Sequence, residues 1–459
     1  MANKKRSNKP GKPNKKRDDR PRGRRGKGSN TNRNDKPSAS KKADDTFEIK
    51  MKAMANGGFA IGSNDRRMTF IPYTIPGETV RARIVNTQKS VDFAEGVELV
   101  QASADRVYPQ CPHFGPNHCW SCQWQHINYE AQLLLKQDVV ADQLYRVGKF
   151  KDIVIERALK PVIPSPQQWA YNYNVTMTRD KDGSFGYYKI DGRQIEAVNE
   201  CHVLHPELQQ LFSMIDIDFA DVRRMQLWVG SDDKTMTVLE MKTENMPQLT
   251  ADFPTSVNVV LPDNEPANLV GDSAMFYEVA ERLFRVTVGS SFRANVAQIY
   301  NLIATILDML NLSEHDSVLD LYAGVGIFSA FIAPRAGLVT LVESYPPTAT
   351  DAEENLQAFD NVDIIEGSVE EVLASLLDAG EIYESAVLDP PSSGLSKTVI
   401  SQLKDLNIPK LVYISGDPST LARDAQALSQ LGYALERVQP IDFAPQTYYI
   451  DTVALLVKG

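Results

Sequence analysis

The chain has 459 residues, a formal net charge of -10 and 42% apolar residues, which excludes a peptide, a fibre and a wholly disordered protein and leaves room for about three domains. No run approaches the roughly 20 apolar residues of a membrane span, and the N-terminus is basic and polar without an apolar signal core. The expectation is a cytoplasmic protein that does not touch membrane.

The charge is unevenly spread. Residues 1–43 hold 17 of the 49 Lys and Arg but only Asp18, Asp19 and Asp35 among the acids, so this tail carries +14 and the remainder -24. Runs such as Lys15-Lys16-Arg17, set among Gly, Pro, Asn and Ser, cannot bury a core, and a disordered arm that adheres to nucleic acid phosphates is expected. From Phe47 to Val107, β-type runs alternate with the turn signals Asn56-Gly57-Gly58 and Pro76-Gly77, which predicts a small antiparallel barrel over 44–106. Barrels of this kind often carry oligonucleotides on one face.

Next come Cys111, Cys119 and Cys122, in a Cys-x7-Cys-x2-Cys arrangement, with Cys201 far downstream. Thiols clustered this way in a cytosolic chain hold a metal or an iron–sulfur cluster more often than they form disulfides. Spacing alone leaves zinc and [4Fe–4S] both open. Tyr129 to Val147 has helical spacing, with Trp124 and His126 at its entrance, and residues 150–285 mix strands with short helices. The segment 107–285 therefore reads as an α+β middle domain.

From about Phe292 the pattern becomes alternating helix and strand. A helix over Ala297–Leu310 precedes strands near 317, 338, 363, 385 and 411, and a pair over Tyr433–Pro440 and Thr452–Val457 suits a closing antiparallel hairpin. Within this α/β segment, Val318–Ala330 runs from an apolar strand ending at Asp320 through Gly324 and Gly326 into a helix. Small glycines let such a turn approach a ligand. A dinucleotide fingerprint would need a third glycine where Ser329 stands, so Asp320-x-x-x-Gly324-x-Gly326 fits S-adenosylmethionine better, a cofactor with no pyrophosphate to cradle. Glu343, at the end of the second strand, is suited to accept from ribose hydroxyls.

These segments together resemble the RNA uracil-5-methyltransferases with an N-terminal TRAM barrel, especially the ribosomal RNA branch that carries a [4Fe–4S] cluster. The resemblance rests on Pro76-Gly77-Glu78, on Cys122-Gln123-Trp124-Gln125-His126 with Cys201, on Asp320-Leu321-Tyr322-Ala323-Gly324-Val325-Gly326, on Leu388-Asp389-Pro390-Pro391, and on Ser415-Gly416-Asp417-Pro418 with Thr420-Leu421-Ala422-Arg423-Asp424. It implies a multidomain fold: a TRAM or OB-like antiparallel β-barrel, the α+β middle domain with its four-cysteine cluster site, and a class I Rossmann-like α/β methyltransferase domain over 286–459. It further implies that Arg293, Tyr322, Gly324, Glu343 and Asp389 line the cofactor site, that the four cysteines hold the cluster, and that a monomer acts on RNA, ribosomal RNA in particular.

The departures are as informative. Where the family has Phe-x-Gln-x-Asn, this chain has Phe292-Arg293-Ala294-Asn295, and Asp-Pro-Pro-Arg becomes Asp389-Pro390-Pro391-Ser392. The nucleophilic Ser-Cys-Asn-Pro is Ser415-Gly416-Asp417-Pro418, and the terminal His-x-Glu, which supplies the base, is Tyr449-Ile450-Asp451. Carbon 5 of uracil is a poor nucleophile until a thiolate adds to carbon 6, and Gly416 has nothing to add. Asp451 remains a candidate base. The expectation is an RNA methyltransferase whose C5 chemistry is lost or slow and which acts on an atom such as a base nitrogen. The other outcome is a non-catalytic RNA-binding or ribosome-assembly factor that keeps the fold.

Overall fold

The computed structural model describes residues 46–215, 217, 219–247 and 255–459, and within it Thr46–Gly459 form one compact unit. The basic tail expected over 1–43 lies outside the described residues.

Five strands, Thr46–Met54, Ala60–Asn64, Arg67–Ile71, Thr79–Gln88 and Val91–Gln101, close into a barrel. Alternate residues Ile49, Met51, Ile71, Val80, Ala82 and Ala94 point inward and are buried, the period of two that the sequence carries. The expectation of a purely antiparallel barrel needs correction, because Met68–Phe70 run parallel to Val91–Phe93 where the sheet closes. Pro76-Gly77-Glu78 makes the turn and ties it down: Gly77 adopts φ +95°, and the buried Glu78 carboxylate accepts from Ile75 N at 2.9 Å and from Arg106 at 2.6 and 2.8 Å.

Asn128 opens the helix Tyr129–Arg146 by accepting from Ala131 N, and Trp124 just before it donates Nε1 to Gly58 O of the barrel at 3.2 Å. A seven-stranded sheet between Asn174 and Val270 follows, with the helix Pro206–Met214 packed on it through Leu208 and Leu211.

The last sheet also has seven strands. In spatial order these are Val362–Glu366, Leu338–Glu343, Ser317–Leu321, Ser385–Leu388, Lys410–Ser415, Asp451–Lys458 and Tyr433–Ile441. The first five are parallel to one another, Asp451–Lys458 runs antiparallel to them, and Tyr433–Ile441 pairs antiparallel with it, so the expected closing hairpin is present. Apolar runs such as Val318-Leu319 and Ala386-Val387-Leu388 are fully buried because helices cover both faces. The strand order reverses about Ser317–Leu321, and the crevice at the carboxyl ends of the strands there is where an open α/β sheet takes its ligand.

Candidate active site

The turn after Ser317–Leu321 sets the geometry. Tyr322, Gly324 and Gly326 all adopt left-handed φ, at 59°, 58° and 81°. A Cβ on Gly326 would stand 2.7 Å from Leu356 of the following helix Pro346–Leu356, so that glycine allows close packing; a Cβ on Gly324 would meet nothing within 4 Å, so that one faces open space. Ser329, standing where a dinucleotide fold would want glycine, donates Oγ to Asp320 Oδ2 at 2.7 Å. Asp320 is fully buried and its Oδ1 has no partner. Burial, with some repulsion from Asp389 and Glu343, pushes its pKa up to about 7 against the pull of Ser329.

Glu343 ends the neighbouring strand. Its Oε2 accepts from Gly324 N at 3.0 Å and its Oε1 from Ser344 N and Tyr345 N at 2.7 and 2.8 Å, which fixes the carboxylate at the mouth of the turn. All five residues expected around a cofactor, Arg293, Tyr322, Gly324, Glu343 and Asp389, line one cavity of about 570 Å³. Tyr345 and Thr348 also line it and were not foreseen; Tyr345 lies two residues past Glu343, which is the available signal.

One end of the cavity is an ion-pair cluster. Arg293 Nη2 reaches both oxygens of Asp389, at 3.0 and 2.8 Å, while Nη1 pairs with Asp451 Oδ2, and the guanidinium lies 5.2 Å over the Phe443 ring. Burial works against the Arg293 charge, yet the two carboxylates hold its pKa above the ordinary arginine value. Asp451 is raised above the usual carboxylate range by burial, with Arg293 opposing. Ser415 pairs with Thr452, so Gly416 sits beside Asp451, and a Cβ built there would meet only Asp451 Oδ1, at 3.7 Å. Asp417, adjacent, is spent as the cap of the helix Pro418–Ser429, accepting from Thr420 N at 2.8 Å.

None of the four cysteines lines this cavity. Cys111, Cys119, Cys122 and Cys201 instead border a separate small cavity, with Tyr187 Oη donating to Cys201 Sγ at 3.8 Å and Ser121 N to Cys119 Sγ at 3.4 Å. All four are free thiols. Among the described residues, no group of three or more His, Cys, Asp or Glu is arranged to hold a single metal ion. His126, expected at the entrance of the helix Tyr129–Arg146, is buried beside Phe114 and Tyr73, and burial lowers its pKa to about 3.

Residues 268–459 match the family model described as tRNA (uracil-5-)-methyltransferase. An uncharacterized RNA methyltransferase of Streptomyces avermitilis is 30% identical over 426 residues, 89% of this chain and 98% of the relative. The chain belongs to the RNA uracil-5-methyltransferase family. Membership makes it an RNA methyltransferase by kinship, and an uncharacterized RNA methyltransferase of Halalkalibacterium halodurans is a further relative, 28% identical over 90% of this chain and 97% of its own length. The fold is shared with the tRNA (uracil-54, C5)-methyltransferase of Pyrococcus abyssi, solved in complex with S-adenosyl-L-homocysteine, at TM-score 0.68 and 22% identity over 89% of this chain and 100% of that one.

Proposed function

We propose that this uracil-5-methyltransferase relative transfers a methyl group from S-adenosylmethionine to a nucleophilic atom of RNA, such as a base nitrogen, without the covalent route to carbon 5. The observation that carries this is that five cofactor-type residues converge on one cavity whose lining includes none of the four cysteines, and the resemblance adds that Gly416, beside Asp451, takes the place of the family's nucleophile. The residues fit the cofactor. Glu343 offers acceptors for ribose hydroxyls, and Gly324 leaves its approach open. Once bound, the sulfonium supplies an electrophilic methyl, and what the chain must add is orientation and exclusion of water.

The resemblance adds finer proposals: ribosomal RNA as substrate, a monomer, a TRAM barrel over 44–106, a middle domain over 107–285 and a catalytic domain over 286–459. The four cysteines would hold a [4Fe–4S] cluster. The support is that all four cysteines border one small cavity, and thiolates suit either such a cluster or zinc. Iron and acid-labile sulfide in anaerobically purified protein test this, with zinc as the contrary result.

Two labels test the function. Methyl-labelled S-adenosylmethionine should pass its label to RNA, whereas RNA carrying tritium at uracil C5 should release none. Tritium release would contradict the assignment. Cofactor binding with no transfer to any RNA would leave the non-catalytic RNA-binding role instead.

A further inference from the structure

We propose that the group methylated beside Gly416 is an exocyclic amino group of a nucleobase, that of adenine, cytosine or guanine, and that Asp451 Oδ1 accepts its proton; this rests on the methyl-transfer reading above. Arg293 gives Nη2 to both oxygens of Asp389 and Nη1 to Asp451 Oδ2. That leaves Asp451 Oδ1, which faces the position of the missing side chain at Gly416, 3.7 Å from where a Cβ would stand.

An ionised carboxylate oxygen only accepts. It attracts an amino group, as Asp and Glu do the N4 amino group of cytosine, and it repels the carbonyl oxygens that flank uracil N3 or a bare ring nitrogen, each of which asks for a donor. Three of the five Arg293 N–H groups go to its two carboxylates, and the atom that faces Gly416 is an acceptor. An exocyclic amino nitrogen is a weak nucleophile because its lone pair is delocalised into the ring. Accepting one of its N–H groups raises the electron density on that nitrogen, and proximity supplies the rest.

The step balances. The nitrogen forms its bond to the methyl carbon as the carbon–sulfur bond of the sulfonium breaks, leaving S-adenosylhomocysteine, and the nitrogen sheds one of its two protons to Asp451 Oδ1, from which it passes to water. A stacking surface is at hand. Tyr449, two residues before Asp451, is half-exposed, and its ring centroid lies 4.2 Å from that of Tyr448.

Two measurements on the full chain test the proposal. In the first, RNA methylated with deuterium-labelled S-adenosylmethionine is digested to nucleosides and analysed by mass spectrometry. N6-methyladenosine, N4-methylcytidine or N2-methylguanosine is expected. A ring-methylated nucleoside such as 1-methyladenosine or 3-methyluridine overturns the proposal and leaves the transfer reading standing; 5-methyluridine, or no label in RNA, overturns both. In the second, without methyl donor, unpaired oligomers carrying the amino group at the mapped position are compared with oligomers in which that amino group is dimethylated. The native oligomer should bind roughly tenfold tighter, the worth of one charge-assisted hydrogen bond, and Asp451→Ala should abolish the difference. Equal binding by the unsubstituted protein, or a difference that survives Asp451→Ala, contradicts the role of Oδ1.

Discussion

At the scale of single residues, Gly416, Arg293 and Asp451 behave as a set. The space beside Gly416 admits a Cβ, so Gly416→Cys should fold with little change in melting temperature. Alone it should form no 5-methyluridine, because Arg293 remains locked to Asp451. Combined with Arg293→Gln and Asp451→Glu, it should form that product, read by nucleoside mass spectrometry; C5 methylation by Gly416→Cys alone would show that the ion pair is no obstacle. Asp320 makes a different prediction. Its folded pKa of about 7 lies above its ordinary value of 3.8, so the folded state holds a proton that the unfolded chain has lost, and its contribution to stability declines from about pH 4 to pH 7 and stays low above that. His126 works in the opposite direction in the same window, since its folded pKa of about 3 lies below the ordinary 6.5. Comparison with Asp320→Asn isolates the acid: the variant should lose less stability, or gain more, as pH rises over that range.

At the scale of elements, the helix Tyr129–Arg146 holds the loop that presents Asp451. Lys136 Nζ donates to Asp442 Oδ1 at 2.6 Å and to Ala444 O at 3.0 Å, with both charged side chains fully buried, and Gln132 exchanges hydrogen bonds with Gln446 at 3.0 and 2.9 Å. Burial pulls the Lys136 pKa below its ordinary value, and Asp442 opposes that pull. Breaking such a pair from one side leaves an uncompensated charge, so Lys136→Met should cost about 3 to 5 kcal/mol in denaturant unfolding. Adding Asp442→Leu should restore part of it, and equal losses in the single and double variants would refute the pairing argument. This contact shows where sequence reasoning stopped. Tyr129, Gln132, Lys136 and Val139 share one helical face, so a lysine on the buried stripe was visible, but its partner stands 306 residues away and no local pattern names it.

Across the whole molecule, the catalytic sheet was legible because its apolar strands, glycine turn and closing hairpin are local signals; the strands expected near 317, 338, 363, 385 and 411 all stand in the sheet. The convergence of Arg293, Tyr322, Gly324, Glu343 and Asp389 was carried by the family pattern. The parallel closure of the barrel and the pairing of Arg293 with Asp451 were not legible, since each depends on pairings across the fold. Charge is also a property of the whole chain: deleting residues 1–43 removes +14 and should weaken RNA affinity and flatten its salt dependence, measured by titration at several salt concentrations. An unchanged salt slope would deny the tail a role as a phosphate arm.

Calorimetric titration with S-adenosylmethionine reads most directly whether the cavity beside Glu343 takes the methyl donor. Saturable binding to the native protein, weakened about tenfold or more by Glu343→Ala, is the predicted result; no binding, or binding indifferent to Glu343, would contradict it.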